Sequence, residues 1–206
     1  MIKDAIIYGK KTVLMPFKLE LDLENFVELH RNDKRDYMMN LCFKEFSQED
    51  AKKYATAMVM TERIKVWTVL TKEGRHSKTA GFIYLSEISD VSASISGIMT
   101  GHFLKQLAKS LKKNVLSCAE DATLALIDTC LNKFDFQRIE ANVLKDNRLF
   151  LSLHKRLGLK EEGTLRSAIN INGELKDVVI LSILKREWSS VQQTPESRDT
   201  KIQRAG

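Results

Sequence analysis

The sequence lacks the features that would place it in a membrane, in a disulfide framework or around a metal. No apolar run approaches the roughly 20 residues that a membrane-spanning helix needs, and the first residues lack the apolar core of a signal peptide. The three cysteines are odd in number and lack the spacing of metal ligands, which favours buried thiols. We therefore expect a cytoplasmic protein with no membrane association and no metal.

Carboxylates are also missing from one stretch of an otherwise balanced chain. The net charge of the 206 residues is +6, yet no Asp or Glu occurs between Val91 and Ala119. Four lysines fall inside this window: Lys105, Lys109, Lys112 and Lys113. Their field attracts phosphate groups, either of a nucleotide cofactor or of a nucleic acid. Because the sequence contains no recognised nucleic-acid-binding module, we do not expect nucleic acid as the partner.

What the chain does contain is an ordered series of strand and helix patterns. Apolar alternation predicts strands, and apolar residues at helical spacing predict helices. The predicted strands are 12–17, 66–70, 80–88, 92–99, 138–143, 165–171 and 178–184, and the predicted helices are 24–30, 48–60, 101–113, 118–134 and 149–157. This order predicts a mixed α/β fold. We expect one domain over residues 1–188 and a polar tail over residues 189–206, where periodicity is absent.

Local signals predict where several of these elements begin and end. Ser47 is predicted to cap the helix 48–60, with Asp50 at its third position. Ser117 and Glu120 have the spacing of a capping box, which starts the helix that follows. Gly158 is placed to end another helix in the left-handed conformation. The pair Asn172-Gly173 is a two-residue turn that predicts a hairpin between the last two strands.

The ordered series from Arg138 to Trp188 is the most informative part of the chain. It contains Asn147, then Lys155-Arg156-Leu157-Gly158-Leu159, then Glu162-Gly163-Thr164-Leu165-Arg166, and it closes with the hairpin. This series resembles the C-terminal half of the GNAT acetyltransferases, in particular the RimJ/RimL-like N-acetyltransferases of protein N-termini. The resemblance implies a GNAT-like acyl-CoA N-acyltransferase fold, with a central twisted mixed sheet flanked by helices, and acetyl-CoA as the cofactor.

The same resemblance implies where acetyl-CoA would bind. Its phosphates would meet the loop before the central helix, which consists of Lys112, Lys113, Asn114, Val115, Leu116 and Ser117. Val115 and Ser117 stand where the family has two glycines, so this loop is degenerate, because glycine allows the close approach that the phosphates need. Asn147 matches the family residue that binds the pantetheine arm, and its type also suits the N-cap of the next helix.

The resemblance identifies no catalytic residue. Ser94, Phe150 and Ile169 stand where relatives carry groups that take part in catalysis. We expect His154 to lie on the surface of its helix. Further candidates are His102 as a base and the carboxylates of Glu87 and Asp90 as attractants for a cationic amine, with an exposed loop residue as the alternative for each.

Two functional hypotheses remain open at this point. The first is an acetyl-CoA-dependent N-acetyltransferase that acts on protein or peptide amines, with activity that is weak or lost. The second is a catalytically silent pseudoenzyme with a GNAT fold, which binds a protein partner in an assembly such as a phage particle. The second hypothesis would place the protein in a virion instead of the cytoplasm.

Overall fold

The strand patterns of this chain combine into one sheet. The computed structural model describes residues 5–32, 47–72, 78–99, 101–113, 115–171 and 173–191, so Cys42, Asn114, Asn172 and residues 192–206 lie outside the described residues. The strands are β1 (Ile7–Tyr8), β2 (Thr12–Pro16), β3 (Lys65–Thr71), β4 (Thr79–Ser86), β5 (Ser92–Met99), β6 (Arg138–Leu144), β7 (Lys160–Ile171) and β8 (Glu174–Leu184). The helices are α1 (Leu19–Asn32), α2 (Gln48–Met60), α3 (Gly101–Lys113), α4 (Cys118–Asn132), α5 (Arg148–Arg156) and α6 (Lys185–Val191).

The sheet is mixed, as predicted. Its strand order is β1-β2-β3-β4-β5-β6-β8-β7. Among the described strands, β5 and β6 form the one parallel pair, and the other neighbours are antiparallel. The last hairpin folds back so that β8, and not β7, pairs with β6. The α/β fold class is therefore confirmed, and the parallel pair in the middle of the sheet divides it into two halves.

Helices cover both faces of the central strands of the sheet. Successive side chains of a strand point to opposite faces, and in β4 the two sets enter different cores. Phe82 packs on one face against Phe26 of α1, with ring centroids 5.2 Å apart. Ile83 belongs to the larger core on the other face, which includes Leu126 of α4. The apolar residues of β4 therefore hold α1 and α2 on one side of the sheet and α4 on the other.

Helix α3 is amphipathic and faces the protein's own core. Phe103, Leu104 and Leu107 are buried, whereas Lys105 and Lys109 are exposed. This is the burial expected of apolar residues at helical spacing. None of the helices in the described part of the chain is long and apolar enough to cross a membrane.

The predicted helix and hairpin ends are present. Ser47 caps α2, and Ser117 caps α4, each in a complete capping box. Gly158 follows α5 with a φ of 91°, and Gly173 in the hairpin turn has a φ of 89°. Both values lie in the left-handed region that favours glycine. The buried thiols of Cys118 and Cys130 also agree with the prediction.

Two elements, β1 and α6, were not predicted from the sequence. Strand β1 has two residues, too few for any periodicity, and it exists because it pairs with β2. Helix α6 extends to Val191, past the point where the polar tail was predicted to begin. Its Trp188 is buried, and the indole N–H donates to the carboxylate of Asp128 on α4 over 2.9 Å.

A buried carboxylate joins the start of the sheet to α4. Asp121, in the first turn of α4, is 2% exposed. Its oxygens accept the backbone N–H groups of Lys10, Lys11 and Thr12, each over 2.9 Å, and the Thr12 hydroxyl over 2.7 Å. Gly9 completes this turn without a side chain, since a Cβ there would lie 2.2 Å from an Asp121 oxygen. The β1–β2 turn is therefore built around one carboxylate.

Candidate active site

A V-shaped cleft opens where β5 and β6 diverge. The two strands pair only at their starts, with Ser92 opposite Arg138 and Ser94 opposite Glu140. Beyond this point β5 stays paired with β4 and β6 stays paired with β8, but each strand has an open edge that faces the other. Backbone N–H and C=O groups on such edges need partners. An extended ligand with amide groups can supply them, as in strand addition to a sheet edge.

The cleft is narrow and partly open to solvent. The non-atom space between its walls is about 600 Å³, and this figure includes open solvent. Its walls come from β3–β6, from the first turns of α4 and from α5: Val69, Phe82, Ile83, Ile95, Ser96, Gly97, Ala119, Ala122, Thr123, Asn142, Val143, Asn147, Phe150, Leu153 and His154. Most of these side chains are apolar, so the few polar groups among them would orient a ligand.

Asn147 is one of these polar groups, and it also caps α5. Its side-chain oxygen accepts the N–H of Phe150 over 3.4 Å. The amide nitrogen of the same side chain carries two further N–H donors. Asn147 is half-buried and lines the cleft. The N-cap role expected from the sequence is therefore observed, and the residue lies where it can also donate to a ligand.

His154 is a second polar group in the cleft, and its predicted surface position was wrong. The side chain is 6% exposed and lines the cleft. Nδ1 lies 2.8 Å from the carbonyl oxygen of Phe150, and since a carbonyl only accepts, Nδ1 carries the proton. Burial lowers the pKa of His154 from 6.5 to about 4. The ring is therefore neutral at physiological pH, with Nε2 unprotonated.

The sequence contains a pattern that indicates a buried position for His154. His154 comes four residues after Phe150 and directly after Leu153, so it lies at the edge of the apolar stripe of α5. A residue in that position is carried towards the core when the stripe packs. Ser152, by contrast, is exposed.

The predicted phosphate loop follows α3, outside the lining of the cleft. Lys112 and Lys113 are exposed in the last turn of α3. Val115 is 52% exposed, and its N–H donates to the carbonyl of Ser110 over 3.1 Å. This bond uses the Val115 N–H to close the end of α3. Among the described lining residues the cleft contains no member of this loop.

The other two described loop residues lead into α4. Leu116 is half-buried, and Ser117 is buried as the N-cap. The Ser117 N–H donates to the Glu120 carboxylate over 2.8 Å, and the Ser117 hydroxyl lies 2.8 Å from the same oxygen, Oε2. The Glu120 N–H donates back to the Ser117 hydroxyl over 3.2 Å. The first turn of α4 thus satisfies two of its own N–H groups internally.

The Glu120 carboxylate has further partners. It is 1% exposed, and its Oε1 accepts from Nε of Arg156 over 2.9 Å. The Ser110 hydroxyl lies 3.2 Å from Oε2, and the Arg156 guanidinium also donates to the Ser110 carbonyl over 3.3 Å. Both carboxylate oxygens are therefore in use. The network joins α3, α4 and α5.

The remaining sequence candidates lie away from the cleft walls. Ser94 is buried at the closed end of the V, next to the paired strand starts. Glu87 and Asp90 are exposed between β4 and β5, before the paired start of β5. His102 is exposed on α3 and lies 3.1 Å from the Gln106 amide. The described residues contain no group of three or more His, Cys, Asp or Glu that could hold a metal ion.

Comparison with known proteins agrees with this architecture. No family model matches the chain. A segment is 37% identical over 71 residues to the uncharacterized N-acetyltransferase p20 of Bacillus licheniformis, and the match covers 34% of this chain and 40% of that protein. The chain thus spans less than half the length of this curated relative.

Solved structures show the fold over nearly the whole chain. A GCN5-related N-acetyltransferase from Brucella melitensis superposes with a TM-score of 0.75 and 16% identity, over 93% of this chain and 84% of that one. A GNAT-family acetyltransferase from Bacillus anthracis gives 0.69 and 16%, over 89% and 100%. A variant of the spermidine N-acetyltransferase SpeG from Vibrio cholerae gives 0.69 and 19%, over 88% and 98%. This chain therefore has the fold of the GNAT acetyltransferases.

Proposed function

We propose that this protein is an N-acetyltransferase that takes an acetyl group from a pantetheine thioester, acetyl-CoA in the first instance, and transfers it to an amine. The observation that carries the proposal is the cleft between β5 and β6, with Asn147 and His154 in its walls. The proteins of similar fold are described as acetyltransferases. They favour an enzyme over the alternative of a silent component of a phage particle.

The cleft suits one end of acetyl-CoA better than the other. The pantetheine arm carries amides, which match the open backbone edges of β5 and β6 and the free donors of Asn147. The phosphates would need the N–H groups at the start of α4, and the chain's own Ser117 and Glu120 already use two of them. The donor site is therefore a fit for the thioester arm and a poor fit for the pyrophosphate.

Acetyl-CoA, when bound, supplies an activated acetyl thioester that an amine attacks while the thiol leaves. The protein's part is to position the two and to move one proton. His154 suits the proton transfer, because its Nε2 is unprotonated in the neutral ring. With a pKa of about 4, Nε2 does not deprotonate a free ammonium group, which is far less acidic. It can accept the proton from nitrogen during acylation and release it to any stronger base.

The acceptor is the amine that attacks the thioester. We propose a primary amine of a protein or peptide, as the RimJ/RimL resemblance implies. One protein of similar fold acts on spermidine, which is also a primary amine. The acceptor must arrive deprotonated, so the rate should rise with pH up to the pKa of the acceptor and show no inflection from His154 near neutral pH.

Thiol release from acetyl-CoA in the presence of amines tests this function. The panel contains peptides with free N-termini and spermidine, and acetylated products are identified by mass. We expect amine-dependent thiol release by the wild type. Release that no amine stimulates would contradict the proposal.

The variant His154→Gln is expected to lower kcat by about 100-fold, because glutamine keeps a polar side chain but transfers no proton. The matched control is Ser152→Ala, which changes an exposed residue of the same helix and should leave kcat unchanged. Thermal melting of both variants shows whether they are folded. An unchanged kcat in a folded His154→Gln protein would remove His154 from the mechanism.

Asn147 permits a separate test of donor binding. Asn147→Asp keeps the cap of α5 but removes the two amide N–H donors, whereas Asn147→Ala removes both. We expect Asn147→Ala alone to lower the free energy of unfolding, by about 1 kcal/mol. Both variants should weaken acetyl-CoA binding about 10-fold, measured by calorimetric titration. Full affinity in Asn147→Asp would assign the residue to capping only.

A further inference from the structure

The start of α4 carries more negative charge than a phosphate site can accept. Glu120 and Asp121 both lie in its first turn, and they are 1% and 2% exposed. The N-terminus of a helix attracts anions through its unpaired N–H groups and its partial positive charge. Here two buried carboxylates of the chain itself already interact with that end. Asp121 is held by the β1–β2 turn, and Glu120 is held by Ser117 and Arg156.

Glu120 would weaken the binding of a phosphate in two ways. Its fixed carboxylate would repel a second anion brought to the same N–H groups, because like charges in contact destabilise a complex. It also engages Arg156, the cation on α5 nearest to this helix end, whose guanidinium is bound to Glu120 and to the Ser110 carbonyl. Arg156 is therefore not available as the bidentate partner that phosphates prefer.

The cations that remain free of this network are weaker phosphate ligands. Lys112 and Lys113 are exposed at the end of α3, where water and salt screen their charges. Lysine attracts a phosphate as a point charge and does not replace directed N–H groups. The pyrophosphate of a nucleotide would therefore gain little on this surface.

We infer that Glu120 makes the protein select its donor by the pantetheine thioester arm and largely ignore the nucleotide end. This inference rests on the proposed function, because it takes the β5–β6 cleft as the site of the arm. Glu120 is then a specificity-determining residue: it fills the place of the phosphates, and the protein accepts acyl-pantetheine thioesters with or without an attached nucleotide.

Calorimetric titration with acetyl-CoA and with acetylpantetheine, which lacks the nucleotide, tests the inference. For the wild type we expect dissociation constants within about 3-fold of each other, since the phosphates add little. Glu120→Gln removes the charge, keeps the size and frees Arg156. It should bind acetyl-CoA at least about 10-fold more tightly, with acetylpantetheine unchanged. The matched control is Glu174→Gln, the same charge change at the exposed start of β8, which should alter neither constant.

The possible outcomes separate the two proposals. If acetylpantetheine fails to bind the wild type, the proposed function is wrong, and the effect of Glu120→Gln on acetyl-CoA still tests the role of Glu120. If the wild type binds acetyl-CoA more than about 10-fold more tightly than acetylpantetheine, the inference is overturned. It is also overturned if folded Glu120→Gln binds acetyl-CoA no more tightly than the wild type. The wild-type ratio needs no variant, so the test stands even if Glu120→Gln does not fold.

Discussion

Replacing Asp121 by alanine is expected to lower the free energy of unfolding by about 3–5 kcal/mol, because three backbone N–H groups and one hydroxyl lose a charged acceptor at once. Two of these donors, the N–H and the hydroxyl of Thr12, are buried, so water does not replace the carboxylate there. The loss would free β1 and the turn before β2 from α4. Urea unfolding at equilibrium, followed by fluorescence, measures the effect.

The matched control is Asp146→Ala, an exposed aspartate paired with Lys176, for which a change below about 1 kcal/mol is expected. A loss below about 1 kcal/mol in Asp121→Ala would show that the turn holds without its carboxylate.

A second substitution in the same turn sharpens this test. Gly9→Ala would place a Cβ 2.2 Å from an Asp121 oxygen, so it should destabilise the wild type. In the Asp121→Ala background that oxygen is gone, so the part of the penalty that it causes should disappear, while the Cβ would still lie 2.8 Å from the Thr12 hydroxyl oxygen. The decreases in the free energy of unfolding of the two single variants should therefore add up to more than the decrease in the double variant. Such non-additivity is expected for residues in direct contact. Strict additivity would contradict the close contact between Gly9 and Asp121.

Stability should also depend on pH through His154. The folded pKa is about 4 and the ordinary value is 6.5, so the unfolded chain takes up the proton first as the pH falls. The stability contributed by the neutral ring is complete above the unfolded pKa and is lost progressively as the pH falls from 6.5 to about 4. The shift corresponds to about 3 kcal/mol. We expect the wild type to lose that much more stability between about pH 7 and pH 4 than His154→Gln, which does not titrate there.

The comparison with the variant is needed because other groups titrate in acid. Hydrogen bonds from Arg138 and Ser182 lower the pKa of Glu162 to about 2, so its contribution to stability is also lost in acid, below the window of His154. That loss is common to the wild type and His154→Gln and cancels in the difference. Equal pH dependence of the two proteins would mean that His154 is hydrated in the folded state.

A donor site that holds the thioester arm and not the phosphates would have a practical consequence. Nucleotide phosphates normally supply a large share of the binding energy through charge-assisted hydrogen bonds. Without them, the affinity for acetyl-CoA would be modest, and activity measured at low donor concentration would look weak or absent. The degenerate loop predicted from the sequence and the Glu120 network would thus both weaken the binding of the phosphates. The loop would do so because it lacks the glycines, and the network because it places a carboxylate at the same helix end.

Much of the fold could be predicted because its signals are local. The capping boxes at Ser47 and Ser117 and the left-handed Gly158 involve residues at most four positions apart. Their hydrogen bonds form wherever those residues occur together, so the ends of α2, α4 and α5 follow from the sequence alone. The same holds for the burial of Phe103 and its neighbours on α3, since helical spacing places them on one face.

The site was harder to predict because its contacts join distant parts of the chain. The N-cap role of Asn147 is observed, and the residue lines the cleft, whereas the binding of a pantetheine arm that the resemblance implies stays a prediction. The sequence assigned His154 to the surface, because one residue at the edge of an apolar stripe does not reveal which element packs against it. It also assigned Ser117 to a phosphate loop, and the capping box that the same residue forms uses the N–H groups of Ser117 and Glu120.

By itself, then, the sequence determined the order of the elements from β2 to β8, their caps and the series from Arg138 to Trp188 from which the GNAT resemblance follows. Only the tertiary structure decided that β5 and β6 separate after three residue pairs, that His154 enters the cleft between them, and that Arg156 reaches Glu120 across 36 positions of the chain. The reason is physical. Local hydrogen bonds and periodicity depend on neighbours in sequence, whereas burial, pKa shifts and ion pairing depend on which surfaces meet when the sheet and helices pack.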